Sequence, residues 1–156
     1  MFSTPLHPVL VHFPIALLTL GIVTQFLVLW KKDFFDKVTF LLFSTGFVMG
    51  IFSYLSGEEA EEFAENRWGE GIETYLEPHE SYALATLIIF GIVLALKVLN
   101  YYKKLPFVLP IILILCIAGG VTLTLTGHYG GKMVYEQNPT NGQINDGEND
   151  DDDDDD

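Results

Sequence analysis

The sequence predicts an all-α integral membrane protein, a four-transmembrane-helix bundle with both termini outside and an acidic disordered C-terminal tail. Hydrophobic residues make up 49% of the 156 residues. They recur in four apolar stretches of about 20 residues, the length that crosses the hydrocarbon core of a bilayer. The formal net charge of −13 does not contradict this, because nine of the 21 acids lie between Glu58 and Glu80 and nine more lie in residues 146–156. A soluble domain with one core is therefore disfavoured.

The four predicted spans cover residues 9–30, 38–56, 81–99 and 106–125. We interpret the first as a retained span and not a signal peptide, since neither a basic segment before it nor a small-residue cleavage site after it is present. The connection after it is so short that the second span must return antiparallel. Gly46, Gly50 and Ser53 share one face of the second span, a spacing that lets membrane helices approach closely. Pro110 is expected to begin or kink the fourth span.

Two polar segments complete the chain. Residues 57–80 form an acidic loop whose first part has the pattern of a short amphipathic helix. Residues 136–156 are polar and acidic with little to bury, so disorder is expected beyond a membrane domain at 1–135. The single cysteine, Cys116, excludes an intramolecular disulfide and a covalent haem attachment motif.

The basic residues predict the orientation. Most of them lie on or beside the two short connections that follow spans one and three: Lys31, Lys32, Lys37, Lys97, Lys103 and Lys104. The opposite side has Arg67 and Lys132. By the positive-inside rule the short connections are cytoplasmic, and both termini and the acidic loop are outside.

Four histidines, from three predicted spans, are brought by this topology to the outer end of the bundle: His7, His12, His79 and His128. Imidazoles on facing helices suit a transition metal or the axial positions of a haem. For haem, His12 with His79 or His128 is the first pairing to test. One haem or one metal is more plausible than two haems, since two macrocycles would crowd one face. The structural alternative is that these histidines hydrogen-bond free backbone groups where helices begin.

Carboxylates extend the candidate metal site. The possible ligands beside the four histidines are Glu58, Glu59, Glu62 and Glu80. Glu80 is also placed to orient the imidazole of His79 as a hydrogen-bond acceptor. The alternative is that these glutamates form a solvated face. Gly119 and Gly120 would leave room either for a flat ligand or for close helix packing.

The chain also resembles a family of bacterial four-helix membrane proteins, domain of unknown function 2231. The resemblance rests on four motifs in order: His7-Pro-x-x-x-His12-Phe-Pro-Ile-Ala-Leu, Gly57-Glu-Glu-Ala-Glu-Glu62, His79-Glu80 and Thr126-Gly-His-Tyr-Gly-Gly-x-x-Val-Tyr135. The last motif is similar to relatives joined to cytochrome c-like domains. The resemblance implies a multi-pass protein of the bacterial cytoplasmic membrane in a respiratory or electron-transfer setting.

Together these features favour an electron-transfer or redox-accessory subunit that binds haem b, or alternatively a transition metal ion, near the outer face. Its expected partners are the lipid bilayer and a cytochrome c-like or respiratory protein, and no nucleic acid. The main alternative is a cofactor-free structural or interaction subunit of a larger membrane complex. An enzyme ranks below both, because no His-Glu-x-x-His motif is present. A transporter is disfavoured because the spans lack a charge at mid-membrane depth, Lys97 lying near an end.

Overall fold

A computed structural model describes residues 7–57, 60–62 and 73–135. The helices are α1 (His7–Leu10), α2 (His12–Leu27), α3 (Lys32–Leu55), α4 (Glu73–Lys103) and α5 (Val108–Tyr135). Four helical segments, counting α1 and α2 as one, are long and apolar enough to cross a membrane. The predicted fold class is thus confirmed for an all-helical protein with four candidate spans. Half of the acidic loop at 57–80, namely residues 58–59 and 63–72, and the whole tail at 136–156 lie outside the described residues.

The helices extend beyond the predicted spans at the end that carries the histidines. Helix α4 begins at Glu73, with Pro78 inside it, and α5 continues to Tyr135. His79 and His128 therefore stand on continuous helices. At the other end α5 begins at Val108, which places Pro110 in its first turn, where the missing proline N–H leaves no helical hydrogen bond unmade. The expectation that Pro110 begins the helix is confirmed.

The bundle consists of two antiparallel hairpins. Helices α2 and α3 form the first, α4 and α5 form the second, and contacts within each hairpin are more extensive than those between them. The hairpins meet where α3 packs on α4 and α2 on α5. Both short connections lie at one end of the bundle, which we call the lysine end, and the four histidines lie at the other, the histidine end.

A layer of buried apolar side chains separates the two ends. Leu18, Phe43, Phe90, Val93 and Cys116 are buried in one cluster, and the rings of Phe43 and Phe90 lie 5.1 Å apart between centroids. Large apolar side chains remain exposed along the outer faces of the helices. Such faces are suited to lipid, which is as apolar as the side chains themselves.

Small residues allow the helices to approach, as predicted. A Cβ added to Gly46 would lie 3.0 Å from Leu18, and one added to Gly50 would lie 2.9 Å from Leu87. Gly119 is packed in the same way, with Phe90 2.9 Å from the position of its missing Cβ. The space at Gly119 is therefore filled by a phenyl ring, which agrees with the packing alternative.

Lys97 is an exception to the apolar interior. Its Nζ donates to Gln25 Oε1 at 2.9 Å and to Asp36 Oδ1 at 2.6 Å. The lysine side chain is 5% exposed and that of Asp36 is 50% exposed. Because Gln25 and Asp36 belong to the first hairpin and Lys97 to the second, this cluster connects the hairpins near the lysine end. Lys97 does lie towards a span end, as the sequence indicated, but its pairing was not predicted.

Candidate functional site

The histidine end brings two imidazoles together from different hairpins. The rings of His7 on α1 and His79 on α4 lie 6.2 Å apart between centroids, with an angle of 75° between their planes. Both side chains are half-buried. Among the described residues, the contact between two histidine rings is that of His7 with His79.

His7 is held by the end of α3. Its Nδ1 lies 2.9 Å from the carbonyl oxygen of Ser53 and 3.1 Å from Ser56 Oγ. A carbonyl oxygen only accepts, and the Ser56 hydroxyl itself donates to the Ser53 carbonyl at 2.8 Å. The hydrogen-bond network therefore assigns the proton to Nδ1 and leaves a lone pair on Nε2 of the neutral ring.

His79 is held by α5 in the same way. Its Nδ1 donates to the carbonyl oxygen of Thr126 at 2.8 Å. A Cβ added to Gly130 would lie 3.2 Å from both Nδ1 and Cε1 of this ring. One turn further along α4, Tyr82 stacks on Tyr129 with 5.7 Å between centroids and 12° between planes. The ring of His79 is thus fixed by α5 along its Nδ1 edge, and in the neutral tautomer with this donor the lone pair is on Nε2.

The other two histidines are exposed. His12 donates from Nδ1 to the carbonyl oxygen of Pro8 at 2.6 Å, one turn back along the chain. His128 contacts the ring of its neighbour Tyr129, with 5.5 Å between centroids. The predicted pairing of His12 with His79 or His128 stays a prediction, and the pair that the structure brings into contact is His7 with His79.

A neutral imidazole that donates a hydrogen bond from one nitrogen to a carbonyl can bind a metal through the lone pair of its other nitrogen. This hydrogen bond selects the tautomer and orients the ring, and metal-ligating histidines almost always make one. Two imidazoles on opposite sides of a metal, each with a nitrogen–metal bond of about 2.0 Å, place their centroids about 6 Å apart. The separation of His7 and His79 fits that spacing.

The number of ligands distinguishes haem from a bare metal ion. Among the described residues, no group of three or more His, Cys, Asp or Glu side chains is placed to hold a metal ion. A haem iron takes four ligands from the porphyrin and needs only two axial side chains. A pair of imidazoles would supply both axial ligands of a haem iron, whereas a bare ion would need further ligands beside them.

Of the four predicted carboxylate ligands, the structure describes Glu62 and Glu80. Glu62 and Glu80 are exposed, and Glu58 and Glu59 lie outside the described residues. The orienting role expected of Glu80 is performed by the carbonyl of Thr126, which accepts the Nδ1–H of His79. The four glutamates stay predictions as ligands.

Sequence reasoning missed the groups that hold the rings, namely the carbonyls of Ser53 and Thr126, the hydroxyl of Ser56 and the small residue Gly130. A signal was present for two of them, because Thr126 and Gly130 belong to the closing Thr-Gly-His-Tyr-Gly-Gly motif. Backbone carbonyls carry no signature of residue type, so the acceptors themselves could only be found in three dimensions.

Comparison with known proteins gives one match. Residues 3–142 match the sequence profile of a family described as predicted membrane protein (DUF2231). No curated protein and no solved structure matches the chain.

Proposed function

The chain belongs to the DUF2231 family of predicted membrane proteins, and we propose that it is a membrane-embedded redox-accessory protein that binds one haem b between His7 and His79. The observation that carries this proposal is the 6.2 Å separation of two imidazoles, each of which donates its Nδ1–H to a backbone carbonyl. Both rings then present an unprotonated Nε2, the atom that ligates haem iron.

The position of the pair supports electron transfer. Haem held near a membrane surface can exchange an electron with a soluble partner, and its potential depends on axial ligands and burial. We infer that this site and both termini face the outer side of a bacterial cytoplasmic membrane, because by the positive-inside rule the lysines at the opposite end favour the cytoplasmic side. A cytochrome c-like or respiratory protein is then the expected partner.

The test is a visible absorption spectrum of the detergent-purified protein, expressed with haem supplied, in the air-oxidised and dithionite-reduced states, with iron analysis of the same sample. A Soret band that sharpens into α and β bands on reduction is expected, with about one haem per chain. A featureless spectrum without stoichiometric iron would overturn the proposal.

Asparagine variants separate ligation from structure. An asparagine amide nitrogen can replace Nδ1 of histidine as the donor to the carbonyl, but it supplies no nitrogen in place of Nε2. His7→Asn and His79→Asn should therefore lose the haem spectrum described above. When the proteins are prepared without haem, both variants should have the same thermal midpoint as the parent. His128→Asn, at an exposed position, is the matched control and should keep the spectrum. Retention of the spectrum in both His7→Asn and His79→Asn would exclude this ligand pair.

A specific observation favours a second function, that of a cofactor-free structural subunit. The Nδ1–H of His7 already ties α1 to α3, and that of His79 ties α4 to α5. Satisfied polar groups of this kind stabilise a bundle without any ligand. In that case the parent protein and all three asparagine variants would lack a haem spectrum, and loss of the donor in His79→Ala would lower the thermal midpoint.

A further inference from the structure

The lysine end carries a surface that the proposed redox function does not use. We define the lysine rim as the five exposed lysines on or beside the two short connections: Lys31, Lys32, Lys37, Lys103 and Lys104. Because both connections lie at the same end of the bundle, these ammonium groups share one surface. The rim is at the end opposite the histidines, so it is separate from the candidate haem site.

The acids at this end do not neutralise the rim. The two connections and the helix turns beside them contain Asp33 and Asp36. Asp36 lies 2.6 Å from the ammonium of Lys97, a buried lysine outside the rim. Its charge is therefore balanced by Lys97, and among the described residues of this end Asp33 is the acid that remains beside the five rim lysines.

Lys104 has an unfavourable backbone conformation for a lysine. Its φ is +48°, in the left-handed region where glycine is the usual residue after a helix, and its N–H donates to the Asn100 carbonyl at 2.9 Å. A side chain with a Cβ costs about 1 kcal/mol in that conformation. The chain thus places a charge where a glycine would be more stable.

Aromatic rings mark the depth of the rim in a membrane. Trp30, Tyr101, Tyr102 and Phe107 are 77–79% exposed. The ammonium of Lys31 lies 5.8 Å from the centroid of the Trp30 ring. Trp and Tyr are enriched at the level of lipid headgroups, where the apolar ring contacts hydrocarbon and the polar N–H or O–H contacts water. In a bilayer, the lysines beside these rings would lie at the level of the lipid phosphates.

We propose that the lysine rim binds the phosphate groups of anionic phospholipids. Unlike zwitterionic lipids, these carry a net negative charge that complements the rim, and each lysine near an anionic membrane surface strengthens binding about fivefold. Exposed ion pairs of this kind are screened by salt. The inference is independent of any cofactor at the histidine end.

The test uses the fluorescence of Trp30. Trp68→Phe leaves Trp30 as the single tryptophan. This protein is reconstituted in phosphatidylcholine vesicles containing increasing fractions of brominated phosphatidylglycerol or brominated phosphatidylcholine. Stronger quenching by the anionic lipid is expected, together with loss of this preference in about 1 M salt. Equal quenching by the two lipids would overturn the proposal.

A charge-removal variant and a control complete the design. Lys31→Gln, Lys32→Gln, Lys103→Gln and Lys104→Gln are combined in the same background, and the preference for phosphatidylglycerol should fall at least about tenfold. Lys132→Gln, at the histidine end, removes one charge outside the rim and should leave the preference unchanged. Retention of the full preference in the quadruple variant, or an equal loss in the Lys132 control, would contradict the assignment.

Discussion

His7 and His79 lie 6.2 Å apart between ring centroids although they belong to different hairpins of the bundle. Each ring is hydrogen-bonded within its own hairpin, His7 to the end of α3 and His79 to α5. A ligand shared by both imidazoles would thus connect the hairpins at one end, while the Lys97 cluster connects them at the other. Substitutions at the boundary between the hairpins should therefore affect both ligand binding and the stability of the bundle.

Gly130 should control the position of His79. In Gly130→Ala the new Cβ would lie 3.2 Å from the ring, so the imidazole must move by a few tenths of an ångström. We expect reduced haem occupancy in reconstitution and a loss of about 1 kcal/mol in the free energy of unfolding. Gly131→Ala is the matched control, since nothing lies within 4 Å of its Cβ position. That substitution should be neutral or stabilising by up to about 1 kcal/mol, as in an open helix. Identical occupancies and stabilities for the two variants would contradict the prediction.

The ion pair of Lys97 and Asp36 should respond asymmetrically to mutation. Asp36→Leu leaves the buried ammonium of Lys97 without its counter-ion and should lower the free energy of unfolding by about 2 kcal/mol. This loss is smaller than that from breaking a fully buried ion pair, because Asp36 is half-exposed. Lys97→Met leaves a carboxylate that water can reach, and should cost less. The double variant should be more stable than Asp36→Leu alone. Unfolding in micelles with increasing sodium dodecyl sulfate measures these differences. Additive effects would show that the two side chains are not coupled.

The hydrogen bond between the hydroxyls of Thr86 and Thr122, which joins α4 to α5, should make a small contribution to the free energy of unfolding. Thr86 Oγ1 donates to Thr122 Oγ1 at 2.8 Å across the second hairpin. Thr86→Val removes this donor at nearly constant volume and should cost about 0.6 kcal/mol, the usual value for hydrogen bonds between membrane helices. Thr45→Val is the control, because exposed Thr45 donates to the carbonyls of its own helix. A larger loss of stability in the Thr45 variant would contradict the assignment.

The contact of Gly119 with Phe90 should be sensitive to a single methyl group. The Cβ of Gly119→Ala would lie 2.9 Å from the Phe90 ring inside the buried apolar layer, and a cost of about 1–3 kcal/mol is expected from overpacking. Phe90→Leu in the same chain relieves the clash, so the double variant should lose less than the sum of the two single losses. Thermal midpoints in detergent provide the comparison. A Gly119→Ala protein as stable as the parent would show that the helices separate easily here.

Residue properties alone determined the four candidate spans. An apolar run long enough to cross a membrane has few alternatives to a helix, because each backbone group must find its hydrogen-bond partner within the segment. The close approach at Gly46 and Gly50 was predictable for a similar reason, since spacing on one helix face depends only on helical geometry. The collection of four histidines at one end of the predicted bundle followed from the order of the spans.

Only the tertiary structure decided which histidines meet and what holds them. The contact of His7 with His79 depends on how one hairpin packs on the other, and the acceptors of their Nδ1 hydrogens are backbone carbonyls, which every residue has. The partners of Lys97 depend on the same packing, because Gln25 and Asp36 come from two helices of the first hairpin. Hydropathy and helical period describe each span by itself, whereas a site shared by several helices is created by their relative rotation and depth.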